Sequence, residues 1–258
     1  MIDISWDANT DRICGYKDRD WDLFPEYSSH EQYTGKIYPR KDWVELIELQ
    51  KKNKTRPIDI HKGNSVPILN QGRYGYCWMY GTVGCILNRY AAQGIDPVPN
   101  LNAHATAAMG KRYRNQGGFG VEATRYLQER GCPTFDVWPE FSNNRLLESD
   151  PKVLESCKKH KLVTFEEMPR DNFDAVMSCL IDPVDPSPCT LAFNWWRHLV
   201  AGLCGLYRGS GRSIEWGLGF ANSWDRSWGD DGYGEVWNSK AKPFESVVVR
   251  SVKAVKEH

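Results

Sequence analysis

Asn70-Gln71-Gly72-Arg73-Tyr74-Gly75-Tyr76-Cys77-Trp78 sets a glutamine six residues ahead of a cysteine that opens an apolar, helix-periodic run. Trp78, Val83, Ile86, Leu87 and Tyr90 recur at three- and four-residue intervals and the run stops at Gly94, the pattern of a buried amphipathic helix. Cys77 then stands at the positive end of that helix. Unfilled backbone N–H groups there favour an anion, so the thiol is expected to ionise below the ~8.5 of a free cysteine. A thiolate so placed is suited to attack an acyl carbon.

Such a nucleophile needs a proton donor for the leaving group, and histidine is the side chain that titrates near neutrality. His198 lies in Asn194-Trp195-Trp196-Arg197-His198-Leu199-Val200-Ala201-Gly202, apolar strand material. His30, His61, His160 and His258 lie in polar or charged stretches, and His104 is on a helical run without a partner motif. Taken alone, His198 reads equally well as a hydrogen-bonded sheet histidine. The turn signal Arg208-Gly209-Ser210-Gly211-Arg212-Ser213 joins the strand starting at His198 to Ile214–Phe220, which runs into Ala221-Asn222-Ser223-Trp224. Neighbouring antiparallel strands would bring Asn222 beside His198, where its amide oxygen holds one tautomer of the ring, with Trp224 covering the bond. On its own, Asn-Ser-Trp is a turn.

Together these pieces resemble the papain-like cysteine peptidases. The resemblance rests on Gln71 to Trp78, on His198 to Gly202, and on Asn222 to Gly234 (Asn-Ser-Trp-Asp-Arg-Ser-Trp-Gly-Asp-Asp-Gly-Tyr-Gly). Gln116-Gly117-Gly118-Phe119, a helix-like stretch and Val137-Trp138-Pro139 add to it. The order Gln, Cys, His, Asn is the family's, and His198 and Asn222 follow Cys77 by about 120 and about 145 residues, near the spacing expected of such partners. The resemblance implies a hydrolase in which Cys77 is the nucleophile, His198 its ion-pair partner and general acid/base, and Asn222 the residue that orients the imidazole. It also implies that Gln71 and the Cys77 backbone N–H serve the oxyanion, and that Gly117 and Gly118 pair with an extended protein or peptide substrate. A hydrophobic S2 site bordered by Phe119, Trp196 and Leu199 is a further expectation, with core packing an equal alternative for these three. No metal or cofactor is expected.

Three departures stand out. The family's usual disulfide partners are replaced by Tyr74 and Asn115, a paired loss that a reducing compartment tolerates. Arg197 stands where many relatives carry aspartate, and a cation there would disfavour the imidazolium. Only a short stretch separates Cys189–Phe193 from His198, where relatives insert a longer excursion.

With 33 basic and 33 acidic residues among 258, the chain has no net field to draw in nucleic acid or an anionic membrane. No apolar run reaches a membrane span, and Met1-Ile2-Asp3-Ile4-Ser5-Trp6-Asp7 lacks the basic start and apolar centre of a secretion signal, so no membrane partner is expected. The fold class expected is α+β: a helical lobe over 57–160 packed against a twisted antiparallel sheet or barrel lobe over 161–258, with the cleft between. Residues 1–56 form an extension with one amphipathic helix near Asp42–Asn53, too short and differently patterned for the family's inhibitory propeptide. It is expected to drape over the body, with docking a partner or occluding the cleft as alternatives. The opening Cys14-Gly15-Tyr16, with Arg19-Asp20-Trp21, resembles phage-encoded papain-like proteins. That resemblance implies a viral protein located in the cytoplasm or within a virion, with residues 1–56 docking a larger assembly. An adaptor with vestigial chemistry is the alternative to a working endopeptidase.

Overall fold

The periodic run after Cys77 folds as a sixteen-residue helix, Cys77–Ala92, buried on nearly every side. In this computed structural model residues 1–4, 14–28 and 30–252 are described; Ser5, Trp6 and Asp7, quoted above for the absence of a secretion signal, lie outside them. The helices are α1 Trp43–Asn53, α2 Pro57–Gly63, α3 Cys77–Ala92, α4 Ala103–Gly110, α5 Gly120–Arg130, α6 Pro151–Lys159 and α7 Phe173–Leu180. The strands are β1 Ile2–Asp3, β2 Glu31–Gln32, β3 Leu162–Glu167, β4 Cys189–Phe193, β5 His198–Arg208, β6 Glu215–Ala221, β7 Tyr233–Trp237 and β8 Val247–Val252.

All eight strands join one sheet in the order β1-β7-β6-β5-β4-β8-β3-β2. The arrangement is α+β, but the sheet stays open: β1 and β2 are separate edges rather than partners, which corrects the barrel named as one form of the second lobe. Both edge strands come from the N-terminal extension. β1 pairs in parallel with β7, and β2 in parallel with β3, so the extension straps the sheet at both sides. Its helix α1 buries Trp43, Ile47 and Gln50, and the Gln50 amide donates to the carbonyls of Leu180 (3.2 Å) and Asp182 (3.0 Å).

α3 packs against β5 through small residues at helical spacing. A Cβ on Gly81 would lie 2.6 Å from Leu199 Cδ2, and one on Gly84 would lie 3.1 Å from Ala201 Cβ. The helix therefore comes closer to the strand than side chains at 81 and 84 would allow. That approach brings the N-terminus of α3 to the end of the sheet where β5 starts.

Candidate active site

β5 begins at His198 and its antiparallel neighbour β6 ends at Ala221, with Ala201 opposite Ala221. Asn222 therefore emerges at the same end of the sheet as His198. Its Oδ1 lies 2.8 Å from His198 Nε2, and both residues are buried. That oxygen also accepts the Ser223 backbone N–H at 2.8 Å, which fixes it as the amide oxygen and makes Nε2 the protonated nitrogen. The lone pair is then on Nδ1, which is buried and has no hydrogen-bond partner among the described residues.

Aromatic rings enclose this pair. Trp224 stacks on the imidazole with centroids 4.4 Å apart, Trp196 lies at 4.6 Å, and Trp228 stacks in turn on Trp196. The sheath strips the ring of water, and burial pushes the His198 pKa down to about 4, opposed by its hydrogen bond to Asn222. Arg197 has no part in this shift. It lies outside the strand, in the turn Asn194–Arg197, with a left-handed φ of 53°. The expected pKa reduction is present, but burial causes it.

Cys77 occupies the first position of α3 and is fully buried. Burial pushes its thiol up to about 12, against hydrogen bonds from the backbone N–H groups of Leu199, Gly15 and Trp78. The helix-end effect expected from sequence is thus outweighed by loss of water. What covers the sulfur is the N-terminal extension. Gly15 N–H donates to Cys77 Sγ at 3.2 Å, Gly118 N–H to Gly15 O at 3.0 Å, and Lys17 N–H to Gly118 O at 2.9 Å. Tyr16 N–H donates to Arg197 O at 3.1 Å, on the turn between β4 and β5. Residues 15–17 run parallel to Gly118 as one more extended segment, with the Tyr16 side chain buried beneath. Residues 15–17 thus lie over the Cys77 sulfur, while α1 packs on the body.

The remaining expected residues are close by. Gln71 is buried; its Nε2 donates to Tyr74 O (2.8 Å), its Oε1 accepts Ser223 Oγ (2.7 Å), and its backbone N–H donates to Ser223 O (2.9 Å). Ser223 thereby links Gln71 to the neighbour of Asn222. Gly117 and Gly118 both touch the extension: a Cβ on Gly117 would lie 2.3 Å from Gly15 O. Phe119 packs edge to face on Phe24 of the extension at 5.1 Å. Phe119 and Leu199 share one core with Tyr16 and Cys77, whereas Trp196 belongs to the other core, under the imidazole. Asn115 Oδ1 accepts the Gly75 N–H at 2.7 Å, tying the loop before Cys77 to the loop before Gly117.

Sequence reasoning missed Gly15, Tyr16 and the buried anchor behind them. Arg19 forms an ion pair with Glu167, lies 3.9 Å from Glu245, and donates through Nε to Phe24 O at 2.6 Å, all in the interior. The carboxylate of Glu245 caps α5 by accepting the N–H groups of Gly120 (3.2 Å) and Val121 (3.0 Å). An arginine in a polar stretch carries no signal of burial; the carboxylates it meets, Glu167 and Glu245, lie about 150 and about 225 residues away.

No family model matches the sequence. Among solved structures, the chain is similar to xylellain, a cysteine protease from Xylella fastidiosa, with TM-score 0.60, 13% identity, and coverage of 96% of this chain and 99% of that one. It is similar to digestive procathepsin L 3 of Tenebrio molitor, with TM-score 0.55, 15% identity, and 90% and 82% coverage. It is also similar to a Carica candamarcensis cysteine protease in complex with E-64, with TM-score 0.51, 20% identity, and 74% and 96% coverage. The architecture of this chain is the papain-like cysteine protease fold.

Proposed function

We propose that this protein is a papain-like cysteine endopeptidase held latent by its own N-terminal segment. The observation that carries the reading is the 2.8 Å bond from His198 to Asn222, which leaves the lone pair of Nδ1 bare at the first residue of β5, the end of the sheet to which α3 brings Cys77. In the covered state the pair rests as neutral thiol and neutral imidazole, since Cys77 is pushed up to about 12 and His198 down to about 4. Withdrawal of residues 15–17 admits water and substrate, restores the helix-end field on the thiol, and allows proton transfer to Nδ1.

Cys77 Sγ then adds to a peptide carbonyl in the place now held beside Gly118. The Gln71 amide and the Cys77 backbone N–H receive the oxyanion, and His198 passes its proton to the departing amine. Water deprotonated by His198 hydrolyses the acyl-enzyme. Asn222 keeps the ring aimed, and Trp224 keeps water from that bond. Residues 57–160 and 161–258 act as the two walls of the catalytic domain.

The test is hydrolysis of unfolded casein by the full chain carrying Gly15→Ala, which displaces the cover without touching the reacting groups. Turnover abolished by adding Cys77→Ala supports the reading. An inert Gly15→Ala chain whose Cys77 is nevertheless accessible to alkylation overturns it.

A further inference from the structure

The segment that covers the nucleophile carries a cysteine next to the covering residue. Gly15 N–H points at Cys77 Sγ from 3.2 Å. In a trans peptide the N–H of one residue lies on the same side as the preceding Cα, so this bond sets the Cys14 Cα roughly 4 Å from that sulfur. That is the separation a Cα–Cβ–S–S unit spans in a disulfide. Neither Cys14 nor Cys77 is in a disulfide, and a thiolate at Cys14 would be near enough to oppose ionisation of Cys77.

We propose that Cys14 and Cys77 are a redox cross-link site, closing into a disulfide that locks the extension over the nucleophile and reopening on reduction. The lock's consequence for activity rests on the reading of Cys77 as nucleophile, whereas the cross-link itself rests on geometry alone. Access sets the order of events. Cys14 is partly exposed and lies near the guanidinium of Arg197, while Cys77 is sealed beneath it. A small disulfide such as oxidised glutathione therefore meets Cys14 first. The Cys14 thiolate attacks one glutathione sulfur, a mixed disulfide forms, and one glutathione thiolate leaves. Cys77 then gives up its proton and attacks the Cys14 sulfur; the Cys14–Cys77 bond forms and the second glutathione thiolate departs, taking up a proton. Two protein thiols are oxidised and one glutathione disulfide is reduced to two glutathiones.

Burial holds Cys14 up at about 11, opposed by Arg197, so closure is slow at neutral pH and accelerates about tenfold per pH unit while the thiolate fraction limits it. Cys179 and Cys189 also sit side by side, but both are sealed in the core and provide an internal control for access.

The experiment uses the full chain, reduced, desalted, exposed to graded oxidised glutathione, quenched in acid, alkylated and digested for mass spectrometry. The expected product is a peptide pair joined through Cys14 and Cys77, absent in Cys14→Ser and reversed by dithiothreitol, with Cys77 protected from epoxide until reduction. A glutathione adduct that remains on Cys14, or preferential linkage of other cysteines, overturns the proposal. Formation of the cross-link in the unmutated chain with no casein hydrolysis by the reduced Gly15→Ala chain would count against the peptidase reading alone, and hydrolysis by that reduced chain with no Cys14–Cys77 cross-link in the unmutated one against the lock alone.

Discussion

The carbonyl oxygen of Gly75 lies 1.9 Å from where a Cβ on Gly15 would stand, so the chain can pass over Cys77 only as glycine. Gly15→Ala forces the extension to shift, and an overpacked contact of this kind costs about 1–3 kcal/mol. The uncovered population should rise roughly tenfold or more. The rate of Cys77 alkylation should rise with it, while the body's far-UV circular dichroism stays unchanged. An unaltered rate would show that the cover does not gate the thiol.

Asn222→Ala removes the 2.8 Å partner of His198 and leaves Nε2 buried and unpaired. A lost buried hydrogen bond of about 1–3 kcal/mol corresponds to roughly 10- to 100-fold in kcat/KM. Asn222→Gln, which keeps a carboxamide, should retain more activity than Asn222→Ala. Equal kinetics for wild type and Asn222→Ala would remove Asn222 from the mechanism.

Acid should unfold the protein through its buried histidines. Burial lowers His30 to about 4, His61 to about 3 and His198 to about 4, from an ordinary 6.5. Below pH 6.5 the unfolded chain takes up protons that the native state refuses. The stability these groups contribute is therefore full above 6.5 and lost as pH falls towards 4, at up to about 1.4 kcal/mol per pH unit for each histidine. Glu245 acts in the opposite sense: burial raises it to about 7, so its contribution is full below its unfolded value of 4.5 and lost as pH rises through about 7. Urea midpoints should drop steeply between pH 6.5 and 4, and His61→Gln should flatten the slope.

Arg19→Ala leaves the buried carboxylates of Glu167 and Glu245 without their cation. Breaking a buried pair in this way costs about 3–5 kcal/mol. The variant should melt lower and expose residues 14–28 to limited proteolysis before the body unfolds. Simultaneous loss of both regions would mean that the extension is not a separable cover.

Much of this was legible in the sequence because it is local. The run after Cys77, the turn Arg208–Ser213 and the strand Cys189–Phe193 each carry their own periodicity or punctuation. Asn222 could be placed beside His198 because adjacent antiparallel strands return to the same end of a sheet. Helix α4 stops at Gly110, since Arg112 and Tyr113 take left-handed backbone conformations that no local pattern announces. α6 carries a weak sequence signal although Asp150 caps it and Pro151 opens it, because the apolar residues it buries are Val153 and Cys157 alone. The cover was illegible for a different reason. Gly15, Tyr16 and Arg19 owe their positions to residues about 60 to 230 places away, and no pattern within Cys14–Trp21 announces those partners.

The most direct test is a brief exposure of the Gly15→Ala chain to a thiol-directed epoxide at pH 6, with the modified cysteines mapped, in the presence and absence of His198→Ala. The account predicts that Cys77 is alkylated well ahead of the other seven cysteines and that His198→Ala abolishes the preference. Uniform labelling of all eight, or a preference for Cys77 that survives His198→Ala, would contradict it.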